Sequence, residues 1–164
     1  MNLLTVQVVS YETATAPIQA IRHEVFQIGQ GVPPELDFDG LDKDSIHLLA
    51  WWSDRPVGTT RLREVSEIRV NSSVETSVNN PATPSRLIKI ERVAVLADYQ
   101  GRGIGRRLME EAIAYLQQQQ QPLTVKVNAQ LQVQEFYRKL GFQPRGSVFE
   151  EAGIPHIEMR KVIV

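Results

Sequence analysis

Leu87-Ile88-Lys89-Ile90-Glu91-Arg92-Val93-Ala94-Val95-Leu96-Ala97-Asp98-Tyr99-Gln100-Gly101-Arg102-Gly103-Ile104-Gly105-Arg106-Arg107 is the stretch that decides the fold. Leu87 to Val95 is rich in β-branched and apolar residues and predicts a strand. Ala97-Asp98-Tyr99 predicts a turn. From Arg102 to Gln117, Ile104, Leu108, Ala112 and Tyr115 share one helical face, with Met109, Ile113 and Leu116 beside it. A strand, a glycine-rich turn and a helix N-terminus together make an anion site. Unpaired backbone N–H groups point outward there, and the helix dipole adds partial positive charge. Glycine lets the backbone approach an oxyanion closely. Arg102, Arg106 and Arg107 add charge nearby, so the expected ligand is a phosphate or pyrophosphate. The spacing Gly101-x-Gly103-x-Gly105 is neither a Walker loop nor a Rossmann fingerprint. On loop composition alone, a tight turn with no ligand is an equal alternative.

Working outward, Leu3 to Val9 predicts a first strand. Thr15-Ala16-Pro17 predicts a helix start, with Ile18, Ile21, Val25 and Ile28 on one apolar face. Gly29 to Asp44 is irregular. Ser45 to Trp52 and Val57 to Val70 predict strands around the turn Ser53 to Pro56. Asn71 to Ser85 has no periodicity and reads as a loop. Gln117 to Gln121, all glutamine, reads as a frayed helix end. Beyond it, Leu123 to Val127 predicts a strand and Gln130 to Leu140 a helix, capped by Gly141. Phe142 to Phe149 and His156 to Val164 predict the last strands. The order is β, α, three β, α, β, α, β, β. That is an α/β architecture, a mixed sheet flanked by helices.

The chain has 164 residues, about one domain's worth. With 18 basic and 19 acidic residues its formal net charge is −1, which gives no support for nucleic acid or an anionic membrane as partner. Cysteine is absent, which excludes disulfides, Cys-ligated metals and a Cys nucleophile. No pair of histidines has metal-ligand spacing, so no metal site is expected. No run reaches the roughly 18 apolar residues of a membrane span. Met1-Asn2-Leu3-Leu4 lacks a signal-peptide pattern, so the expected location is cytoplasmic.

Gln100-x-x-Gly103-x-Gly105 resembles the Gln/Arg-x-x-Gly-x-Gly/Ala signature of the GNAT superfamily of N-acetyltransferases. The resemblance extends upstream to Glu91-Arg92-Val93-Ala94-Val95 and downstream to Phe136-Tyr137-Arg138-Lys139-Leu140-Gly141-Phe142. Glu24-Val25-Phe26, Asp39-Gly40-Leu41-Asp42, His47-Leu48 and Ala152 to Met159 are similar to the ElaA-like branch. Residues 71–85 depart from it, being longer than the connection expected beside the substrate cleft. The resemblance implies one GNAT domain over residues 1–164, with a mixed, mostly antiparallel sheet.

It also implies acetyl-CoA as co-substrate, its pyrophosphate held by the backbone of Gln100, Gly101, Arg102, Gly103, Ile104, Gly105 and Arg106. Val93 and Val95 would pair with the pantetheine arm, a backbone N–H near Val93 would hold the oxyanion, and Asn128 would contact the cofactor. Asn128 has a second reading, as a strand-end residue capping the next helix. Tyr137 is the candidate acid for the departing thiolate; its alternative is packing beside Val133, Phe136 and Leu140. Glu91 is a candidate base for the amine; its alternative is a structural ion pair. Plain alternation puts Lys89, Glu91, Val93 and Val95 on one face, unless a bulge re-aims them. His156, sharing a strand face with Glu158 and Arg160, is a further candidate to act as base or orient the amine; its alternative is a surface or hydrogen-bonding histidine. Glu150 and Glu151 could attract a cationic amine or be solvated. The acidic segment Glu35, Asp37, Asp39, Asp42 and Asp44 reads as solvated surface, with attraction of an amine on the acceptor side, implied by the resemblance, as its alternative; His23 and His47 read as structural.

The expected activity is acetyl transfer from acetyl-CoA to a primary amine in a ternary complex, by a monomer or homodimer. Two alternatives stand beside it: an acyl-CoA-sensing module without catalysis, and an unrelated nucleotide binder.

Overall fold

The computed structural model describes residues 3–66 and 86–164. Seven strands form one sheet in the order β1-β2-β3-β4-β5-β7-β6. They are β1 (Leu4–Ser10), β2 (Ile46–Trp52), β3 (Arg55–Val65), β4 (Leu87–Val95), β5 (Leu123–Gln130), β6 (Gln143–Glu151) and β7 (Ile154–Ile163). Every neighbouring pair is antiparallel except β4 with β5. Residues 67–70 of the expected third strand, and the expected loop 71–85, lie outside the described residues.

Helix α1 (Tyr11–Arg22) starts earlier than Pro17 suggests. Ser10 caps it, accepting the Thr13 N–H at 3.3 Å. Pro17 sits inside the helix, and Ala14 just before it leaves helical geometry (φ −123°, ψ 20°). The kink at Ala14 divides the element, and the run after it begins at Thr15 with Pro17 in its first turn, as expected, while Tyr11–Thr13 adds a turn before it. Ile18 and Ile21 are buried as expected, but Ile28 is 70% exposed. The cause is a π-helical turn over His23–Ile28. Its wider turn rotates the 3.6-residue face away from the core. A short helix, α2 (Pro34–Asp37), follows within the irregular segment.

Helix α3 (Ile104–Gln117) buries Ile104, Leu108, Met109, Ala112, Ile113 and Leu116. It lies so close to β3 that a Cβ on Gly58 would meet Leu108 Cδ1 at 3.1 Å and Ile104 Cγ2 at 3.2 Å. Arg61 is three residues beyond Gly58 and so points to the opposite face, toward α1 and α2. Strand β5 runs three residues longer than expected, and only Gln134–Lys139 is regular helix (α4). Gly141, at φ +91°, ends that helix as predicted, donating its N–H to the Arg138 carbonyl at 2.9 Å.

Two features of β4 shape the centre of the sheet. Arg61 lies opposite Glu91 and Thr59 opposite Ala94, so Arg92 and Val93 together face one residue of β3. This is a β-bulge, and Arg92 occupies it with φ +55°, in the left-handed region. On its other side, β4 pairs with β5 only at Leu87–Thr124, Ile88–Val125 and Lys89–Lys126. Past Lys89 the two strands separate, and a cavity opens between them.

The α1–α2 segment is fastened to the sheet by buried charge. Arg22, fully buried, donates to Asp37 Oδ1 at 3.0 Å and Asp42 Oδ1 at 2.6 Å. Arg61, also fully buried, donates to Asp42 at 3.0 Å, Asp39 at 2.7 Å and Glu91 at 2.6 Å. The acidic segment is thus not solvated surface throughout: Asp37 and Asp42 are buried ion-pair partners. His47 joins them, its Nε2 2.9 Å from the Asp42 carbonyl. Arg61→Ala removes the one guanidinium that Asp39, Asp42 and Glu91 share, leaving each with its other cationic partners, and is expected to cost about 3–5 kcal/mol. Urea denaturation at neutral pH measures it.

Candidate active site

The cavity between β4 and β5 has a volume of about 950 Å3. It runs from the N-terminus of α3 along Val93 and Val95 to Asn128, Tyr137 and His156. Gln100, Gly101, Gly103, Ile104, Gly105, Arg106 and Glu91 also line it. Arg102 alone among the expected site residues does not. Its guanidinium lies 5.1 Å from the rings of both Trp52 and Tyr99, and it donates to the Asp98 carbonyl at 3.3 Å. That stacking holds the side chain to one side of the loop.

At the α3 end, Gly101 and Gly103 have φ of +76° and +78°. Left-handed glycines turn successive amides toward one point. Gly103 is the N-cap, and no side chain caps the helix. The first helical hydrogen bond runs from Arg107 N to the Gly103 carbonyl at 3.0 Å, so the amides of Ile104, Gly105 and Arg106 precede the helical ladder. A Cβ on Gly101 or Gly103 would meet nothing within 4 Å. The space beside the loop is therefore open, and the free amides of residues 104–106 border it.

The bulge re-aims β4. Val95 lies opposite Gly58, on the α3 face, whereas Glu91 lies opposite Arg61, on the α1 face. Without the bulge, residues four apart would share a face. Of the two alternatives, plain alternation and a bulge, the strand adopts the bulge, and Glu91 and Val95 face opposite ways.

Glu91 is also a poor general base. Arg61 Nη2 is 2.6 Å and Lys89 Nζ 2.9 Å from its carboxylate, and Arg63 Nε also donates to it. Burial alone would raise its pKa. The hydrogen bond from Arg63 and the charges of Arg61 and Lys89 outweigh that and hold it at about 2. So acidic a carboxyl takes a proton from an ammonium group only against a steep gradient. The structural ion pair is the reading that stands. Sequence spacing could not reveal this, because Arg61 and Glu91 meet only through strand pairing.

His156 is 7% exposed and stacks on Phe149, with ring centres 5.9 Å apart. Its Nδ1 is 2.6 Å from the Ile154 carbonyl. A carbonyl only accepts, so Nδ1 carries the hydrogen, and Nε2 of the neutral ring presents the lone pair. Glu151 Oε2 is 3.6 Å from that Nε2. Glu151 Oε1 also receives Asn128 Nδ2 at 3.5 Å. Asn128 caps no helix: it lies inside β5, and its Oδ1 is buried without a hydrogen-bond partner. An orphaned acceptor in a cavity wall fits an N–H donor on a ligand.

Tyr137 is 8% exposed and packs edge-on against Phe136 (5.0 Å) and Phe142 (5.9 Å). The packing and the cavity position coexist. Burial pushes its phenol up to about 12, so it stays protonated through the neutral range. Among the described residues, no three His, Cys, Asp or Glu are grouped to hold a metal ion, and no helix is long and apolar enough to cross a membrane.

Comparison with known proteins identifies the class. The family described as "Acetyltransferase (GNAT) domain" matches residues 14–163. Protein ElaA of Escherichia coli is 30% identical over 145 residues, covering 88% of this chain and 84% of that protein. The crystal structure of Escherichia coli ElaA superposes with a TM-score of 0.73 at 26% identity, covering 96% of this chain and 99% of ElaA. An acyl-CoA N-acyltransferase from Pseudomonas aeruginosa superposes with a TM-score of 0.70 at 28% identity, covering 96% of this chain and 99% of that one. The chain belongs to the GNAT acetyltransferase family, and it is an acyltransferase of the ElaA-like branch.

The low pKa of Glu91 has a consequence for stability. A carboxyl held below its ordinary value of 4.5 stabilises the fold fully above about pH 4.5. That contribution is lost as the pH falls toward 2. Urea midpoints measured from pH 7 to pH 2 should therefore drop steeply below about pH 4.5. Glu91→Gln, weaker at neutral pH, should show a shallower decline.

Proposed function

We propose that this protein transfers an acetyl group from acetyl-CoA to a primary amine, by direct attack within a ternary complex. One observation carries the reading: a single cavity joins uncapped amides at the α3 N-terminus to Tyr137 and His156. Holding both substrates in one cleft supplies catalysis by proximity. A single GNAT domain accounts for the chain.

The amides of residues 100–106 would hold the pyrophosphate, with the Arg106 side chain at the rim. The open edge of β4 at Val93 and Val95 would pair with the pantetheine arm, and Asn128 Oδ1 would accept one of its amide hydrogens. The amine nitrogen attacks the thioester carbon. A backbone N–H at the bulge, near Val93, would stabilise the oxyanion. In this scheme His156 Nε2, directly or through water, takes the proton the amine loses. As the C–S bond breaks, the Tyr137 phenol donates its proton to the thiolate sulfur. At a pKa of about 12 the phenol is a weak donor, so its transfer accompanies sulfur departure rather than preceding it.

Titration calorimetry with acetyl-CoA, against ATP as control, is the direct test of the phosphate cradle. Saturable acetyl-CoA binding is expected, with ATP much weaker. Gly103→Val puts a branched side chain at φ +78° and should abolish binding in a protein whose circular dichroism still shows it folded. Tyr137→Phe should lower kcat about 100-fold with the acetyl-CoA Kd unchanged. An unchanged kcat would remove Tyr137 from the mechanism. Binding without turnover of any amine would favour the sensor alternative.

A further inference from the structure

The end of the cavity away from the phosphate cradle has an uneven distribution of charge. Four lysines and arginines line the cavity: Arg106 belongs to the cradle, Lys139 shares the α4 face of Phe136, whose ring lies 3.7 Å from a Cβ on Gly105 at the cradle end, and Lys89 and Arg92 remain for the other end. Lys89 is bound to Glu91 at 2.9 Å. Arg92 is bound to Asp37 at 3.3 Å, to Asp39 at 3.2 Å and to the Leu36 carbonyl at 3.0 Å. The carboxylates that hold them are themselves engaged, Asp37 by Arg22 and Glu91 by Arg61. Glu151 differs. Among the described residues it has no lysine or arginine partner; its contacts are Asn128 Nδ2 at 3.5 Å and His156 Nε2 at 3.6 Å. Among the described residues, the carboxylate beside the proposed base is therefore the charge left uncompensated at this end.

The side of the cavity supplied by residues 25–37 is mostly apolar, its polar members being Gln30, which accepts from Gln130 Nε2 at 3.0 Å, and Asp37, which Arg22 holds at 3.0 Å. Val25 and Phe26 on the π-turn, with Val32 and Leu36 beyond it, line the cavity. Leu36 is 51% exposed, a large apolar side chain with little cover of its own. A ligand that fits must place positive charge at Glu151 and apolar surface against Phe26 and Leu36. A carboxylate next to the amine would face Glu151 and find no uncommitted cation among the described residues at this end, so it would lose its hydration without compensation. A second ammonium group would lie against the apolar wall at a similar disadvantage.

We propose that the acceptor is a monocationic amine with an apolar body and no carboxylate, of the arylalkylamine or alkylamine class. Glu151 draws the ammonium group into place beside His156 Nε2. This rests on the acyltransferase reading and narrows it from amines in general to one class.

The test uses the full chain saturated with CoA, which cannot turn over. 2-Phenylethylamine, L-phenylalanine and 1,5-diaminopentane are titrated into that complex by calorimetry. 2-Phenylethylamine is expected to bind at least tenfold more tightly than either of the others. Glu151→Gln should weaken it at least fivefold and leave CoA affinity within twofold. Glu151 is on the exposed rim, so the fold should tolerate the change. Glu151→Lys should bring L-phenylalanine above 2-phenylethylamine. Binding of L-phenylalanine within threefold of 2-phenylethylamine, indifference to Glu151→Gln, or no amine bound to the CoA complex would each overturn the proposal. The acyltransferase reading fails separately: 2-phenylethylamine would bind with the expected preference, yet acetyl-CoA would acetylate none of the amines.

Discussion

Arg61 is buried in the middle of the sheet, with three carboxylates from two parts of the chain converging on it. Asp39 and Asp42 come from the segment after α2, and Glu91 from β4. A buried guanidinium is tolerable only when its donors are satisfied. That requirement fixes where the N-terminal segment lies. Because Asp42 also holds Arg22, α1 is tied to the same point. The segment so anchored supplies Val25, Phe26, Val32 and Leu36 as one wall of the cavity. The cluster thus shapes a site whose chemistry it does not perform.

The bulge on β4 depends on the same cluster. Arg92 adopts a left-handed backbone that costs a non-glycine residue about 1–3 kcal/mol. Asp37, Asp39 and backbone carbonyls hold its side chain and keep the backbone in that state. The bulge then sends Glu91 to the ion cluster and Val95 to the α3 face. One irregular residue separates the structural half of the strand from the half that borders the cavity.

Sequence periodicity was informative where the chain is regular. The apolar stripe of α3 and the glycine-rich turn before it show directly in the spacing of Ile104, Leu108 and Ala112 and in the positions of Gly101 and Gly103. Tyr137 could be assigned to a helix edge, but only strand pairing brings it to the same cavity as His156. The ion cluster left no periodic trace. Arg22 and Arg61 meet carboxylates 15 to 30 residues away in sequence, and a single chain gives no signal for such pairs. Asp37 and Asp42 consequently looked like solvated charge. The π-turn was equally hidden, since Ile28 continues the 3.6-residue pattern on paper. From the sequence Glu151 reads equally as a draw for a cationic amine or as solvated charge, because its place beside His156 depends on the turn at Ala152 and Gly153.

The short ladder between β4 and β5 gives the molecule a seam. Strands β1 to β4 form one antiparallel block and β5 to β7 another, and between them the parallel pairing ends at Lys89 and Lys126. Beyond that point the blocks face each other across the cavity. A molecule lodged in the gap touches both, and its binding free energy opposes their separation. Occupancy of the site and cohesion of the sheet are therefore thermodynamically linked, and the filled cleft serves as mortar between two courses of strands.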